Sequence, residues 1–172
     1  TFSSQTHFAF PVLGIIGAWL MWRFKLDGLW CWLLLLAVIA VGDQIGTLLK
    51  QLFAHPRPAT IFCDQIIIPR STEGPCSQSL MGMPSNHALN FFLATSFLAI
   101  AIRRNWLTIT MATLSVLVAI SRIYLGRHFP YQVGFGALFG VILGVTFALI
   151  ALQWLPFVKR LQQEQGSHQH GK

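Results

Sequence analysis

Charge is scarce in this chain. Only 10% of its 172 residues are Asp, Glu, Lys or Arg, and 5 acids face 12 bases. A soluble domain carries about 25% charged residues, so a chain this poor in charge and 54% hydrophobic is built for lipid rather than water. The net charge of +7 invites a nucleic-acid partner. Its cations gather neither on one polar face nor in a tail, which argues against that class. Ten-residue stretches of alternating hydrophobicity are missing, which excludes a transmembrane β-barrel. Internal repeats are missing too, and 1–172 reads as one membrane-embedded domain. Cysteine is rare. Cys31 lies in an apolar run and packs as a small hydrophobe, whereas Cys63 and Cys76 share a polar loop where a disulfide is expected. The polar tail 161–172 is expected to fray, and its His168 and His170 are too few for a metal site. The chain opens at Thr1 with neither a Met nor a charged leader, so a processed or trimmed start is expected.

What is present is apolar length. Five segments, 8–22, 29–49, 88–102, 107–120 and 131–158, approach the ~20 residues that cross ~30 Å of hydrocarbon. Backbone in lipid must pair its own polar groups, so each is expected to be a helix and the whole an all-α membrane bundle. Arg23 and Lys25 follow the first segment, Arg103 and Arg104 the third, Lys159 and Arg160 the fifth. The positive-inside rule makes that side cytoplasmic. The N-terminus and the polar stretch 55–84 then lie outside. Gly14 and Gly17 in the first segment, and Gly134, Gly136, Gly140 and Gly144 in the fifth, predict close helix packing. Asp43 is an ionisable group within a span, hence a functional candidate. It precedes Lys50 by seven residues, so both face one side of their helix, and its expected part is to neutralise or orient that Lys.

The remaining polar residues fall in three clusters on the outer side. Met83-Pro84-Ser85-Asn86-His87 meets an apolar helix, where Ser85 is a natural N-cap and the free N–H groups make an anion site. His87 adds a titratable ring on the first turn. Upstream, Lys50 and Arg57 stand seven apart, and Pro56 and Pro58 stiffen the chain so that Arg57 is aimed. A Lys point charge and an Arg fork together suit a tetrahedral phosphate. Downstream, Ser121-Arg122 is followed by His128 and then by Gln132. Two His and several cations at one membrane depth point to phosphate chemistry.

In order and spacing these clusters resemble the type 2 phosphatidic acid phosphatase family, which also includes vanadium-dependent haloperoxidases. The family pattern is KxxxxxxRP, PSGH and SRxxxxxHxxxD. It is met here by Lys50…Arg57-Pro58, Pro84-Ser85-Asn86-His87, and Ser121-Arg122…His128…Gln132. The resemblance spans the second helix to the fifth. It implies six helices, with the first absent here to leave five. It also implies a bacterial inner-membrane protein with its site facing the periplasm. The implied reaction needs no metal or cofactor. His128 attacks phosphorus to form a phosphohistidine, and His87 protonates the leaving group and then activates water. Lys50, Arg57, Ser85, Asn86 and Arg122 hold the phosphate. The implied substrate is a lipid phosphate or pyrophosphate, such as undecaprenyl pyrophosphate, phosphatidylglycerophosphate, phosphatidic acid or lipid A phosphate. Alternatives are a lipid-to-lipid phosphotransferase and a weakened or silent phospholipid binder. Two departures stand out. Asn86 replaces Gly, with little expected harm. Gln132 replaces the Asp that holds His128 Nδ1–H; as a neutral group it is expected to slow turnover, and Gln132→Asp to raise it.

Overall fold

A computed structural model describes residues 3–62 and 80–169, with side chains over 10–62 and 80–163. These residues form helices α1 (Ser3–Phe53), α2 (Pro58–Ile61), α3 (Asn86–Ile102), α4 (Asn105–Tyr124), α5 (Pro130–Trp154) and α6 (Pro156–Gln169), with no strand among the described residues. Helix α1 is a hairpin. At Lys25 the backbone leaves helical geometry (φ 50°, ψ −121°), and beyond it Trp32 Nε1 donates to the Leu13 carbonyl at 3.0 Å. Nineteen residues of straight helix would hold those two groups roughly 28 Å apart. The five apolar segments thus fall on the two arms of α1 and on α3, α4 and α5. Three stretches, Phe10–Ile61, Asn105–Tyr124 and Pro130–Trp154, are long and apolar enough to cross a membrane, and Asn86–Ile102 is a shorter apolar helix.

Two boundaries differ from expectation. The fifth segment does not run to Val158. It breaks at Leu155, whose extended backbone precedes Pro156, a residue that opens a helix more readily than it continues one. The tail does not fray from Leu161: α6 continues to Gln169, and Val158 and Leu161 are fully buried. Arg160 grips Asp27 with Nε and Nη2 at 2.7 and 2.6 Å, and Gln162 Nε2 donates to the Ile100 carbonyl at 2.7 Å. In the polar stretch, α2 forms directly after Arg57, with Pro58 at its first position. Residues 63–79 lie outside the described residues, and with them Cys63, Cys76 and their expected disulfide.

Helix α3 is the central element, and α5 lies along it. Gly136, Gly140 and Gly144 bring the α5 backbone onto the carbonyls of Ser85, Leu89 and Leu93, so that an added Cβ would strike each oxygen. Four-residue spacing on both helices keeps these contacts in register over two turns. Gly134 and Gly14 meet nothing within 4 Å, so they take no part; Gly17 seats the Trp32 indole. A buried hydroxyl pair, Thr95 Oγ1 and Ser115 Oγ at 2.8 Å, ties α3 to α4. Leu20, Leu35, Leu93, Phe97 and Leu98 fill the core. Outward, Ile15, Trp22, Leu52, Ile109, Leu117, Leu138 and Trp154 are exposed. Water would not support so continuous an apolar surface, and hydrocarbon does. The chain is a helical membrane protein.

Candidate active site

Four helix termini meet at one end of the bundle: the C-termini of α1 and α4 and the N-termini of α3 and α5. They carry the three clusters. The stretch 81–85 stitches them together through its backbone. Gly82 N–H donates to the His55 carbonyl at 2.8 Å, and Ser85 N–H to the Gln132 carbonyl at 3.2 Å. Arg57 Nε donates to the Met81 carbonyl at 3.3 Å. The Arg122 carbonyl receives the N–H groups of Arg127 and His128 at 3.1 and 3.3 Å, which closes the turn after α4.

His128 is 6% exposed in that turn. Its Nδ1 lies 2.8 Å from the Gly82 carbonyl oxygen. A carbonyl can only accept, so the proton sits on Nδ1 and the Nε2 lone pair is left for chemistry. Burial pushes the ring's pKa down to about 3; the Gly82 bond opposes this, and the charges of Lys50 and Arg57 reinforce it. The imidazole is therefore neutral at ordinary pH, as a nucleophile must be. His87, on the first turn of α3, stands in the field of Arg122, Lys50 and Arg57 and, with opposite sign, of Asp43. Ser85 is the N-cap of α3 with extended backbone, but its hydroxyl makes no capping bond. Among the described residues the Oγ is buried with no partner, and so is Arg122 Nη1, whose Nε donates to Ser121 Oγ at 3.2 Å. Buried polar groups left open in this way are suited to a ligand's oxygens.

The structure adds detail at three positions. The close partner of His128 Nδ1 is the Gly82 carbonyl. Gln132 Oε1 accepts the Phe129 N–H at 3.1 Å and its Nε2 donates to the Pro56 carbonyl at 2.8 Å. Its own side-chain hydrogen bond to the His128 ring is the weakest of the influences on that ring. Asn86 is the first residue of α3, and its Nδ2 reaches Asp43 Oδ1 at 3.0 Å and Thr47 Oγ1 at 3.3 Å. Asp43 faces α3 rather than serving Lys50 alone, since Asn90 Nδ2 also donates to its Oδ1 at 2.9 Å. Gly82, Asn90 and Tyr131 fall outside the sequence motifs. Asn90 follows Asn86 by one helical turn, which was the available signal.

Comparison with known proteins agrees with this geometry. The chain is 30% identical over 126 residues to lipid A 4'-phosphatase of Bacteroides thetaiotaomicron, covering 70% of this chain and 54% of that protein. It is 27% identical over 173 residues to phosphatidylglycerophosphatase B of Bacillus subtilis, covering 95% and 76%. It thus spans about half the length of the first of these relatives, and 38% of glucose-6-phosphatase catalytic subunit 1 of Canis lupus familiaris, which it matches at 30% identity over 135 residues. Among solved structures it resembles a transmembrane PAP2 type phosphatidylglycerolphosphate phosphatase from Bacillus subtilis, with a TM-score of 0.64 and 25% identity over 88% of this chain and 72% of that one. The family model described as PAP2 superfamily matches residues 29–160, and the chain belongs to that superfamily.

Proposed function

We propose that this protein is a lipid phosphate phosphatase of the bacterial inner membrane, working at the periplasmic face without a metal or cofactor. The observation that carries the reading is the pair of open, buried donors, Ser85 Oγ and Arg122 Nη1, at the bundle end that holds His128 and His87. In the first step His128 Nε2 gives its lone pair to phosphorus. The bond to the lipid oxygen breaks, and His87 supplies that oxygen's proton. In the second, His87 takes a proton from water, whose oxygen attacks phosphorus. The P–N bond breaks, phosphate leaves and His128 is restored. Lys50, Arg57, Arg122, Ser85 Oγ and the first N–H groups of α3 hold the equatorial oxygens as charge grows on them. The Gly82 carbonyl keeps Nδ1–H in place throughout.

The site sits at an end of an apolar bundle, which favours a substrate whose tail stays in the bilayer. The relatives named for lipid A and phosphatidylglycerophosphate support a lipid phosphomonoester, and undecaprenyl pyrophosphate is a further candidate of the same chemistry. A silent or weakened variant was a reading that rested on Gln132. The Gly82 contact supports catalysis in spite of that residue, because it leaves Nε2 free. Phosphate release from a panel of lipid A, phosphatidylglycerophosphate, phosphatidic acid and undecaprenyl pyrophosphate by detergent-solubilised protein tests the proposal. Turnover of at least one lipid is expected, with loss of about 10⁴-fold or more in His128→Ala. Absence of release across the panel, or full activity in His128→Ala, would overturn it.

A further inference from the structure

We infer that Gln132 is a positioning residue for Arg57: its amide clamps the start of α5 to the Pro56 carbonyl and thereby sets where the guanidinium stands. The inference rests on the reading of Arg57 as a phosphate ligand. Gln132 is fully buried, and its hydrogen bonds join all three motif segments. Its backbone carbonyl receives Ser85 N–H at 3.2 Å, its Oε1 receives Phe129 N–H at 3.1 Å, and its Nε2 donates to Pro56 at 2.8 Å and to Tyr131 Oη at 3.4 Å. The Pro56 carbonyl and the Arg57 N–H belong to one planar peptide unit, so fixing the first fixes the Arg57 Cα. Pro58 follows, and Arg57 takes the extended backbone (φ −89°, ψ 162°) that a residue before proline prefers. Its side chain then meets the Met81 carbonyl.

This task requires an amide. Gln both accepts and donates, whereas an Asp carboxylate is shorter and accepts only, which would set two acceptors against each other at Pro56. Gly82 belongs to the same device. A Cβ there would come 2.6 Å from the Pro56 oxygen and 2.7 Å from Gln132 Nε2, so the loop segment that holds His128 must be bare where the clamp closes. The Gln that departs from the family pattern is thus matched to its surroundings, and replacing it by Asp is expected to harm this chain.

Titration calorimetry of inorganic phosphate on the solubilised full chain, beside steady-state kinetics, tests the clamp. Gln132→Asp and Gln132→Met are each expected to weaken phosphate binding about tenfold and to raise KM with it, while kcat does not rise. Arg57→Ala should weaken phosphate at least as much, and Gln132→Met combined with Arg57→Ala should be no weaker than Arg57→Ala alone. Gln132→Met adds no charge to the interior and decides the matter if Gln132→Asp does not fold. Parental phosphate affinity in the Gln132 variants, with affinity lost in Arg57→Ala, would overturn the clamp and leave the functional reading standing. A rise in kcat at unchanged affinity in Gln132→Asp would overturn it too, by placing residue 132 on His128. Parental affinity in Arg57→Ala would remove the phosphate-ligand reading, and the clamp with it.

Discussion

Ser85 shows how the fold and the reaction place opposite demands on one atom. Its hydroxyl is buried at a helix N-terminus, where a Ser would ordinarily cap, and it caps nothing. An unsatisfied buried hydroxyl costs about 1–3 kcal/mol, so the empty site carries a penalty that phosphate would relieve. Ser85→Ala is therefore expected to keep or raise the melting temperature of the solubilised protein while lowering kcat about a hundredfold. Unchanged turnover, or a clear loss of thermal stability, would show that the hydroxyl serves the fold instead. Arg122 Nη1 is open in the same way, though its Nε contact with Ser121 gives the side chain a structural anchor that Ser85 Oγ lacks. The identities of the charged and histidine residues at the site were legible from spacing, because seven-residue intervals and helix termini survive in a one-dimensional pattern. The partner of His128 was not. It is a backbone carbonyl, Gly82, and a carbonyl's availability depends on how 81–85 approaches the turn after α4.

Among the elements, α3 and α5 set the geometry that the site inherits, since the same glycine face that packs the helices ends against Ser85. The repeat of small residues was readable as packing, but which glycines take part was not, because that depends on the rotation of α5. Gly140 lies on the Leu89 carbonyl, whereas Gly134 faces open space. Gly140→Ala is expected to destabilise the bundle by about 1–3 kcal/mol through overpacking against backbone that cannot rotate away. Gly134→Ala should change stability by less than about 0.5 kcal/mol or raise it slightly, since Ala is the better helix former. Equal effects in detergent unfolding would mean that α5 presents a different face. Helix α1 and helix α6 were the least legible elements. The polar break 23–28 separated the two arms in sequence but did not single out Lys25 as the non-helical residue, and α6 looks polar in sequence although Val158 and Leu161 reach the core. At the top of α1, Asp43 joins Asn86 and Asn90 of α3. Interhelical bonds in a bilayer average about 0.6 kcal/mol, so this contact aligns the two helices more than it holds the bundle together.

On the scale of the whole molecule, the cations of the described residues divide between two ends, and the division has a consequence for orientation. The site end holds Lys50, Arg57, Arg122 and Arg127. The far end holds Arg23, Lys25, Arg103, Arg104, Lys159 and Arg160, with Asp27 paired to Arg160 there. Lys50, Arg57 and Arg122 are read as phosphate ligands, which leaves Arg127 at the site end against six cations at the far end. Topology follows such a surplus of Lys and Arg near helix ends, because translocating each cation is costly. The far end is thus expected to face the cytoplasm and the phosphate site the periplasm, where a lipid phosphate would be met in the outer leaflet. With Cys31, Cys63 and Cys76 replaced, single cysteines introduced at Leu80, exposed at the site end, and at Asn105, exposed at the far end, test this directly. In intact cells an impermeant maleimide should label Leu80→Cys. It should label Asn105→Cys only after the inner membrane is opened. The reverse pattern would place the phosphate site in the cytoplasm, and the substrate would then have to be a lipid phosphate of the inner leaflet.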